Sequence, residues 1–356
     1  MILRNMLDFN DITPVQWEEL FRLAQDIRRD PAAYAQKCRG RVMATLFYEP
    51  STRTQMSFQT AMLRLGGSII GFADPKSSSV SKGESLRDTI KIISNYADIA
   101  VIRNPLEGAA EAAALYARIP VINAGDGGHL HPTQTMADLY TIGREKGRYT
   151  GLTIGLCGDL LNGRTVHSLA RAMTRYPGNT FYLISTEKLS MPRYVMRALE
   201  DGGSRVIETG SLEECISELD ILYMTRIQRE RFGTEEEYRK QSGIYVLTAD
   251  KMKMAKPDLC VLHPLPKVDE IAFDVDDDPR CRFFSQAENG MYIRMALILT
   301  LLEANPDKVE KPAYPLPGHA FCPNPRCISN YEIYLPCRYR ENTSARLCAY
   351  CDTEIQ

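Results

Sequence analysis

Short apolar runs alternate with helical patterns along most of this 356-residue chain, and that alternation restricts the fold more than any other feature. Runs such as 42–47 and 99–102 are separated by amphipathic stretches such as 52–65, and a second set of runs begins at 152–157. Strands that alternate with helices favour parallel sheets covered on both faces. The sequence therefore predicts an α/β protein with two doubly wound parallel-sheet domains.

Each set contains enough short apolar runs for a sheet of its own. The predicted strands of the first set are 42–47, 68–72, 99–102 and 120–122. Those of the second set are 152–157, 181–184, 205–207, 221–224, 245–247 and 259–262. Ligands of doubly wound sheets bind at the carboxyl ends of the strands, so we expect an inter-domain cleft that accommodates two substrates.

The pattern also predicts the domain boundaries. The first domain is placed at 1–135 together with a closing apolar helix at 285–304, and the second at 136–284. Residues 305–318 contain four prolines and are interpreted as a semi-rigid linker. A small cysteine-rich module is predicted at 319–356.

Composition narrows the function classes. The chain has 43 Lys and Arg against 45 Asp and Glu, a net charge of -2, which gives no reason to expect binding to nucleic acid or membrane surfaces. No uncharged apolar stretch reaches about 18 residues, and the first residues lack the layout of a signal peptide. We expect a cytoplasmic protein.

Ser51, Thr52, Arg53 and Thr54 follow the first predicted strand and begin the next helix. Unpaired N–H groups and aligned peptide dipoles at a helix start attract anions, and the guanidinium of Arg53 suits phosphate oxygens. An ordinary helix cap is the alternative, because Ser and Thr are favoured capping residues. The pattern predicts a bound phosphate group.

Other loops of the first half carry further polar candidates. The hydroxyl-rich loop 77–84 is interpreted either as a surface loop or as a mobile lid that delivers Lys82 to an anion. Arg103 lies at the end of a predicted strand. It is a candidate anion ligand, but a charged residue at this position is also expected if the chain simply reaches solvent there. A glycine-rich turn precedes His131 and Gln134, which can face one pocket because they lie three apart at a helix start. His129 lacks such support and is interpreted as a loop residue.

The second half offers two guanidinium groups at strand ends. Arg164 lies at a helix start, and Arg226 with Gln228 follows the predicted strand 221–224. Arginines in such positions suit carboxylates. The prolines of 263–266 force an extended backbone whose carbonyls can accept hydrogen bonds. These loops contain no acidic pair with the spacing of a divalent-metal site, so charge neutralisation is expected from side chains.

Five of the ten cysteines lie in the last 35 residues. Two pairs with metal-ligand spacing are found there: Cys322 with Cys327, and Cys348 with Cys351. Four thiolates bind one Zn²⁺ tetrahedrally, so the tail is predicted to hold one structural zinc ion per chain, with Cys337 left over. So small a module has little core, and metal binding should supply its folding free energy.

Six of these segments, in the same order, resemble the aspartate carbamoyltransferase family: 47–54, 78–84, 131–135, 163–168, 224–228 and 263–271. The resemblance covers about residues 1–305. It implies transfer of the carbamoyl group of carbamoyl phosphate to L-aspartate, giving N-carbamoyl-L-aspartate and phosphate in pyrimidine biosynthesis, without an organic cofactor. The tail resembles the zinc domain of the family's regulatory chain, here fused to a catalytic chain.

The resemblance also implies a role for each candidate residue. Phosphate would be bound by Ser51, Thr52, Arg53, Thr54 and Arg103. The carbamoyl group would be contacted by Thr54, Arg103, His131 and Gln134. Aspartate would be bound by Arg164, Arg226 and Gln228, and oriented by the backbone of Leu265 and Pro266. Ser78, or Ser79 in its place, and Lys82 would enter the site of a neighbouring subunit, which requires a homotrimer or a multiple of trimers.

Two alternatives remain. A carbamoyltransferase for ornithine would need a carboxylate for the side-chain ammonium, and that family usually has a cysteine at the position of Pro264. The pairing of Arg226 with Gln228 favours a second substrate carboxylate instead. The other alternative is a zinc-ribbon protein that binds nucleic acid through the arginines and tyrosines of the tail, on an inactive scaffold. The intact catalytic motifs argue against it.

Overall fold

The computed structural model describes residues 3–304, 322–341 and 346–355. The chain forms two compact units: unit 1 comprises Met1–Thr133 and Met291–Gln356, and unit 2 comprises Gln134–Gly290. The chain passes from one unit to the other within helix α5 (Pro132–Lys146) and again within helix α10 (Phe283–Glu303). Within the described ranges, every helix is too short or too polar to cross a membrane.

Unit 1 is built on a parallel sheet of four strands in the order β2-β1-β3-β4. The strands are β1 (Val42–Phe47), β2 (Ser68–Phe72), β3 (Ile99–Asn104) and β4 (Val121–Asp126). The helices that accompany them are α1 (Pro14–Arg29), α2 (Thr52–Arg64), α3 (Leu86–Tyr96) and α4 (Ala109–Tyr116). The central strands β1 and β3 are almost entirely buried, whereas the edge strand β2 is largely exposed.

Helix α1 shows how local sequence determines an element. Thr13 Oγ1 accepts a hydrogen bond from the Gln16 amide at 3.3 Å, and Gln16 Oε1 accepts one from the Thr13 amide at 2.8 Å. Pro14 occupies the first helical position, where its missing N–H costs nothing. The helix then buries Trp17 and Leu20 on one face.

Unit 2 contains five parallel strands in the order β7-β6-β5-β8-β9. The strands are β5 (Thr153–Cys157), β6 (Thr180–Ile184), β7 (Arg205–Thr209), β8 (Ile221–Met224) and β9 (Cys260–Leu262). The helices are α6 (Arg164–Met173), α7 (Arg193–Asp201), α8 (Glu235–Arg239) and α9 (Ala249–Met254). The two parallel sheets confirm the predicted fold class.

One predicted strand is wrong. Residues 245–247 do not join the sheet, and Leu247 makes only a single bridge to Ile271. Tyr245 and Leu247 are buried because they pack into the apolar core beside β5 and β8. The apolar run therefore correctly indicated that these residues are buried, but not that they pair with a neighbouring strand.

The cysteine-rich module is part of unit 1. Its strands β10 (Tyr339–Glu341), β11 (Arg346–Cys348) and β12 (Glu354–Ile355) form a small antiparallel sheet. The module packs against α4, where Ile328 and Tyr350 share a core with Ala109 and Ala113. The predicted linker 305–318 lies outside the described residues.

A close backbone contact joins the module to the segment that precedes α4. The Glu107 amide donates to the Arg326 carbonyl, and the Ile328 amide donates to the Glu107 carbonyl, both at 2.9 Å. Gly108 has a φ of 82°, and a Cβ there would lie 2.6 Å from the Tyr350 backbone. Only glycine allows this approach.

Candidate functional site

In unit 1, the ends of three adjacent strands carry predicted site residues. β1 leads to Ser51 and α2, β3 contains Arg103 near its end, and β4 leads through the glycine-rich turn to His131. Because β1, β3 and β4 are neighbours in a parallel sheet, these segments leave the same edge. The topology therefore places the residues that we predicted to bind phosphate and the carbamoyl group at one edge of the sheet of unit 1.

The start of α2 differs from an ordinary capped helix. Ser51 occupies the N-cap position, but its side chain makes no capping hydrogen bond. Thr52 and Arg53 are exposed, and Thr54 is half-buried. The first-turn amides therefore lack the side-chain acceptor that a cap would supply, which favours the anion interpretation over the capping alternative.

Two guanidinium groups lie close together here. Burial and, second, the positive charge of Arg103 lower the pKa of Arg53. The Arg103 side chain is 12% exposed, and its Nη2 lies 2.7 Å from Glu49 Oε1. Burial lowers the pKa of Arg103 as well, and the Glu49 carboxylate opposes that shift. Two guanidinium groups this close together can attract a polyanion, although Arg53 itself is exposed.

Sequence reasoning missed Glu49, the counterion of Arg103. It lies in the loop that follows β1, and its partner is 54 positions away in the sequence. It also missed Arg294, the single charged residue of 291–302, whose Nη1 donates to Ser57 Oγ at 2.8 Å and whose guanidinium lies 5.0 Å from the centre of the Phe58 ring. An isolated charge in an apolar helix was the available signal.

Gly125 brings Arg103 and His131 to the same stretch of backbone. It has a φ of 119°, and its amide donates to Asn123 Oδ1 at 2.8 Å. A Cβ at this position would lie 3.2 Å from Arg103 Nη1 and 3.5 Å from His131 Cδ2. His131 is buried. The missing side chain thus leaves room for both predicted catalytic groups.

His129 is more than the loop residue that the sequence suggested. Its Nδ1 lies 2.9 Å from Asp126 Oδ2, and its Nε2 lies 3.3 Å from Asp352 Oδ2. Burial alone would lower its pKa, but the two carboxylates raise it well above the usual value. A protonated His129 therefore ties the turn before His131 to the cysteine-rich module. The sequence could not indicate this pairing, because Asp352 is 223 residues away.

In the described part of the chain, Ser78 and Lys82 make no hydrogen bond or ion pair with the other candidate residues. Ser78 Oγ donates to the Pro75 carbonyl at 2.8 Å and accepts from the Val80 amide at 3.3 Å, so its loop is held by local contacts. Lys82 is exposed and makes no ion pair with any described residue. Its ammonium is therefore available to another molecule.

In unit 2, the loops after β5 and β8 are joined. The Thr225 amide donates to the Cys157 carbonyl at 2.8 Å, and a Cβ on Gly158 would lie 2.3 Å from the Thr225 carbonyl oxygen. Gln228 Nε2 donates to the Asn162 carbonyl at 3.2 Å. The segment before Arg164 and the segment that carries Arg226 therefore lie side by side.

The segment after β9 is held by a buried histidine. The Leu265 amide donates to His263 Nδ1 at 2.8 Å, so Nδ1 is the unprotonated nitrogen and Nε2 donates to Glu270 Oε1 at 2.6 Å. Leu265 has a φ of 52°, which costs on the order of 1–3 kcal/mol in a residue with a side chain. The hydrogen bond to His263 helps to hold this strained backbone.

Glu270 accepts further hydrogen bonds. Its Oε2 accepts from the amides of Val268 and Asp269, both at 3.1 Å. Burial would raise the pKa of Glu270, but the hydrogen bond from His263, followed by the backbone donors, lowers it. Glu270 is therefore a buried carboxylate that stabilises the segment containing Leu265 and Pro266.

The four cysteines predicted as metal ligands converge. Their Sγ atoms all lie within 4.8 Å of one another, and all four residues are buried. Cys322 and Cys351 are 3.5 Å apart, and Cys327 and Cys348 are 3.7 Å apart. Tetrahedral Zn²⁺ with bonds of ~2.3 Å separates sulfur atoms by about 3.8 Å. The donor set fits one Zn²⁺ ion, and Cys337 is not part of it.

Comparison with known proteins identifies the family. Residues 4–144 match the model of the aspartate/ornithine carbamoyltransferase carbamoyl-P binding domain, and residues 150–301 match the Asp/Orn binding domain of the same group. The chain is 57% identical over 300 residues to a Clostridium perfringens aspartate carbamoyltransferase catalytic subunit, covering 84% of this chain and 98% of that protein. This chain belongs to the aspartate carbamoyltransferase family. A catalytic subunit from Clostridium acetobutylicum is 53% identical over the same length.

Solved members of the aspartate carbamoyltransferase family share the fold. The catalytic subunit of M. jannaschii aspartate transcarbamoylase superimposes with a TM-score of 0.80 at 44% identity, covering 85% of this chain and 98% of that one. The Trypanosoma cruzi enzyme in complex with N-(phosphonacetyl)-L-aspartic acid gives 0.79 at 37% identity, covering 84% and 95%. The predicted family is thus confirmed. The matched family models end at residue 301, before the cysteine-rich module.

Proposed function

We propose that this chain transfers the carbamoyl group of carbamoyl phosphate to the amine of L-aspartate, giving N-carbamoyl-L-aspartate and phosphate for pyrimidine biosynthesis. The observation that carries the proposal is the 57% identity to an aspartate carbamoyltransferase catalytic subunit along 98% of that protein. Trypanosoma cruzi relatives were solved with carbamoyl phosphate and aspartate, and with carbamoyl aspartate and phosphate. These ligands are the substrates and the products of the proposed reaction.

Unit 1 binds the phosphate in this proposal. The uncapped first turn of α2 offers backbone N–H groups and the hydroxyls of Ser51, Thr52 and Thr54. Arg53 and Arg103 supply the positive charge, and their mutual repulsion is relieved when a dianion lies between them. Glu49 would then give up part of its contact with Arg103.

His131, Arg103 and Thr54 polarise the carbamoyl carbonyl. The aspartate amine attacks the carbamoyl carbon, a C–N bond forms, and the C–O bond to phosphate breaks. The donors stabilise the oxyanion that develops on the carbonyl, and the leaving phosphate takes up the amine proton. We assign His131 the neutral form, in which one ring nitrogen keeps a proton that it can donate to the carbamoyl oxygen. Both substrates are held in line, so no protein nucleophile is needed.

Unit 2 binds aspartate. Arg164 and Arg226 take the two carboxylates, assisted by Gln228, whose amide already lies in the loop beside Arg164. The backbone of Leu265 and Pro266 orients the reacting groups. Two guanidinium groups favour a dicarboxylic acceptor over ornithine, whose side chain is cationic.

Ser78 and Lys82 serve the site of a neighbouring subunit, and the active form is a homotrimer or a multiple of trimers. The support is the exposed Lys82 ammonium, which has no ion-pair partner among the described residues of its own chain. The positive charge is then supplied to the phosphate by a second copy. A site shared between copies makes activity depend on assembly.

Cys322, Cys327, Cys348 and Cys351 hold one structural zinc ion per chain. The support is the spacing of four buried sulfur atoms. Burial raises the pKa of the Cys322 thiol to about 12, so a cation is needed to stabilise it as a thiolate. When bound, the ion would stabilise the segment that carries Tyr350 and Asp352, which contact Gly108 and His129. Reduced thiols of this kind suit a cytoplasmic location.

A turnover assay tests the proposed function. Purified protein is mixed with carbamoyl phosphate and either L-aspartate or L-ornithine, and carbamoylated product and phosphate are quantified. We expect product with aspartate only. Product with ornithine, or no product with either amino acid from a folded protein with one zinc ion per chain, would contradict the proposal.

A further inference from the structure

A buried carboxylate in unit 2 is not used by the proposed mechanism. Asp138 lies on α5 and is fully buried, as is Tyr223, and Gln286 on α10 is 1% exposed. Gln134 Nε2 donates to Asp138 Oδ1 at 2.7 Å, and Gln286 Nε2 donates to the same oxygen at 2.6 Å. The hydroxyl of Tyr223 donates to Oδ2 at 3.0 Å. A buried polar group with three donors has a defined orientation.

The direction of the hydrogen bond to Gln134 matters. An amide nitrogen can only donate, and a carboxylate can only accept, so Asp138 fixes which end of the Gln134 amide faces inward. Gln134 Oε1 must then point away from Asp138. Gln134 is half-buried, and its Oε1 accepts no hydrogen bond from any described residue. By holding Gln134 Nε2, Asp138 leaves the acceptor atom Oε1 of Gln134, and not its donor nitrogen, facing away from the core.

The second amide on Asp138 Oδ1 is oriented in the same way. Gln286 directs Nε2 to Asp138, so its Oε1 accepts from the His263 amide at 3.0 Å. His263 Nδ1 in turn accepts from the Leu265 amide. One carboxylate therefore sets the polarity of a hydrogen-bonded chain that ends at both Gln134 and Leu265.

We propose that Asp138 is a positioning residue that aims Gln134 Oε1 at the N–H groups of the transferred carbamoyl group, and thereby makes the enzyme select a carbamoyl donor over an acyl donor. This inference rests on the proposed function. A carbamoyl group carries an NH₂ where an acetyl group carries a methyl. An oriented acceptor forms a hydrogen bond with the carbamoyl NH₂ but none with the acetyl methyl group. When an acetyl group binds, the methyl group also displaces the water that the acceptor would otherwise contact, so the acceptor is left without a partner.

The test compares carbamoyl phosphate as substrate with acetyl phosphate as a competitive inhibitor. Asp138→Leu is nearly isosteric but accepts no hydrogen bond, so the Gln134 amide is free to rotate. We expect kcat/KM for carbamoyl phosphate to fall about 10- to 100-fold, as for loss of an oriented hydrogen bond, while the Ki of acetyl phosphate stays nearly unchanged. A general structural defect would weaken both phosphates alike.

Two matched variants sharpen the comparison. Asp138→Asn keeps a carbonyl oxygen for both glutamines, and its amide can donate to the Tyr223 hydroxyl, so the preference for carbamoyl phosphate should survive. Tyr223→Phe removes the donor to Oδ2 and leaves Oδ1 untouched, so it should also keep the preference. If Asp138→Leu does not give a cooperative melting transition, Asp138→Ser replaces it, because its hydroxyl is too short to reach Gln134.

The outcomes separate this inference from the proposed function. Absence of turnover by the wild-type protein overturns the proposed function and this inference with it. Turnover by the wild type, with carbamoyl and acetyl phosphate affected equally in the folded Asp138 variant, overturns this inference alone. A selective loss with carbamoyl phosphate, restored in Asp138→Asn, supports it.

Discussion

The absence of a side chain at Gly125 is as important as the groups around it. Alanine there would place a methyl group against Arg103 Nη1 and His131 Cδ2. Small displacements of groups that contact the reacting atoms reduce rates strongly. The structure therefore makes a sharp prediction for this position.

We expect Gly125→Ala to lower kcat about 10- to 100-fold because the added methyl group, 3.2 Å from Nη1, crowds the Arg103 guanidinium and a φ of 119° strains the backbone beside His131. Gly147→Ala is the matched control: it also has a positive φ, of 65°, but nothing lies within 4 Å of the added methyl group. That control should lose about 1 kcal/mol of stability from backbone strain and keep its kcat. Steady-state kinetics and thermal melts measure both; an unchanged kcat in Gly125→Ala would rule out crowding of the site.

The buried pair of His263 and Glu270 predicts a pH dependence of stability. The pKa of Glu270 in the folded protein is lower than the usual value of 4.5. Its stabilising contribution is therefore fully present above about pH 4.5 and is lost as the pH falls through the folded pKa. Because the group lies in unit 2, acid should destabilise this unit through Glu270.

We expect Glu270→Gln to destabilise unit 2 by about 2 kcal/mol at pH 7, since two backbone donors lose a charged acceptor. The difference from wild type should shrink as the pH falls from about 4.5 through the lower folded pKa of Glu270, because the wild-type carboxylate then becomes protonated. Urea unfolding at a series of pH values measures this. Asp250→Asn, at an exposed carboxylate on α9, is the control. A constant difference down to pH 3 would contradict the assignment.

The position of a single residue in the fold was predictable where the sequence pattern alone determines it. Arg53, Arg103 and Arg226 follow strands, and the alternating pattern places strand ends at one edge of a sheet. Glu49 and Asp138 were not predictable, because their roles depend on partners such as Arg103 and Gln286, 54 and 148 positions away. A sequence of one chain does not reveal such pairs.

At the element scale, α3 obtains part of its N-terminal capping from the module. The Leu86 amide donates to Glu332 Oε1 at 3.0 Å, and the Arg87 amide donates to the Tyr334 hydroxyl at 2.8 Å. Ser85 caps the helix through the Asp88 amide at 3.1 Å. The leading N–H groups of a helix need such acceptors. The helix that follows the Lys82 loop is thus anchored by the tail.

We expect Tyr334→Phe to speed hydrogen exchange of the Arg87 amide and to lower stability by about 1 kcal/mol, the usual cost of a lost cap. Its ring still packs on the Arg87 guanidinium, 4.5 Å away in the wild type. The control is Tyr331→Phe, which removes a hydroxyl that donates to the Pro325 carbonyl within the module. Equal exchange at Arg87 in both variants would show that the tail does not cap α3.

Elements were largely predictable because apolar runs of strand length recur between helical patterns. The run 245–247 failed because burial alone does not supply a neighbouring strand. The docking of the module on α4 was not predicted, although a signal existed: five of the eight residues of α4 are buried alanines. A helix that is apolar on all sides must be covered on more than one side.

At the scale of the whole molecule, the shared active site is a question of assembly. Lys82 is exposed and lacks an ion-pair partner among the described residues of its chain, whereas His131 is buried within unit 1. If Lys82 acts in a neighbouring subunit, two inactive chains can complement each other. One chain then supplies an intact Lys82, and the other supplies an intact His131.

We expect Lys82→Ala and His131→Ala to be inactive alone and to regain activity when co-expressed. Under random assembly, about one quarter of the sites combine a His131-bearing chain with a Lys82-bearing neighbour, so activity should approach a quarter of the wild-type value. Co-expression of Lys82→Ala with Ser78→Ala is the control, because every loop then carries a defect. Activity per mole and mass in solution are measured together. If each site were formed by one chain alone, neither mixture would regain activity. A Lys82→Ala chain could then not use the intact Lys82 loop of a neighbouring chain.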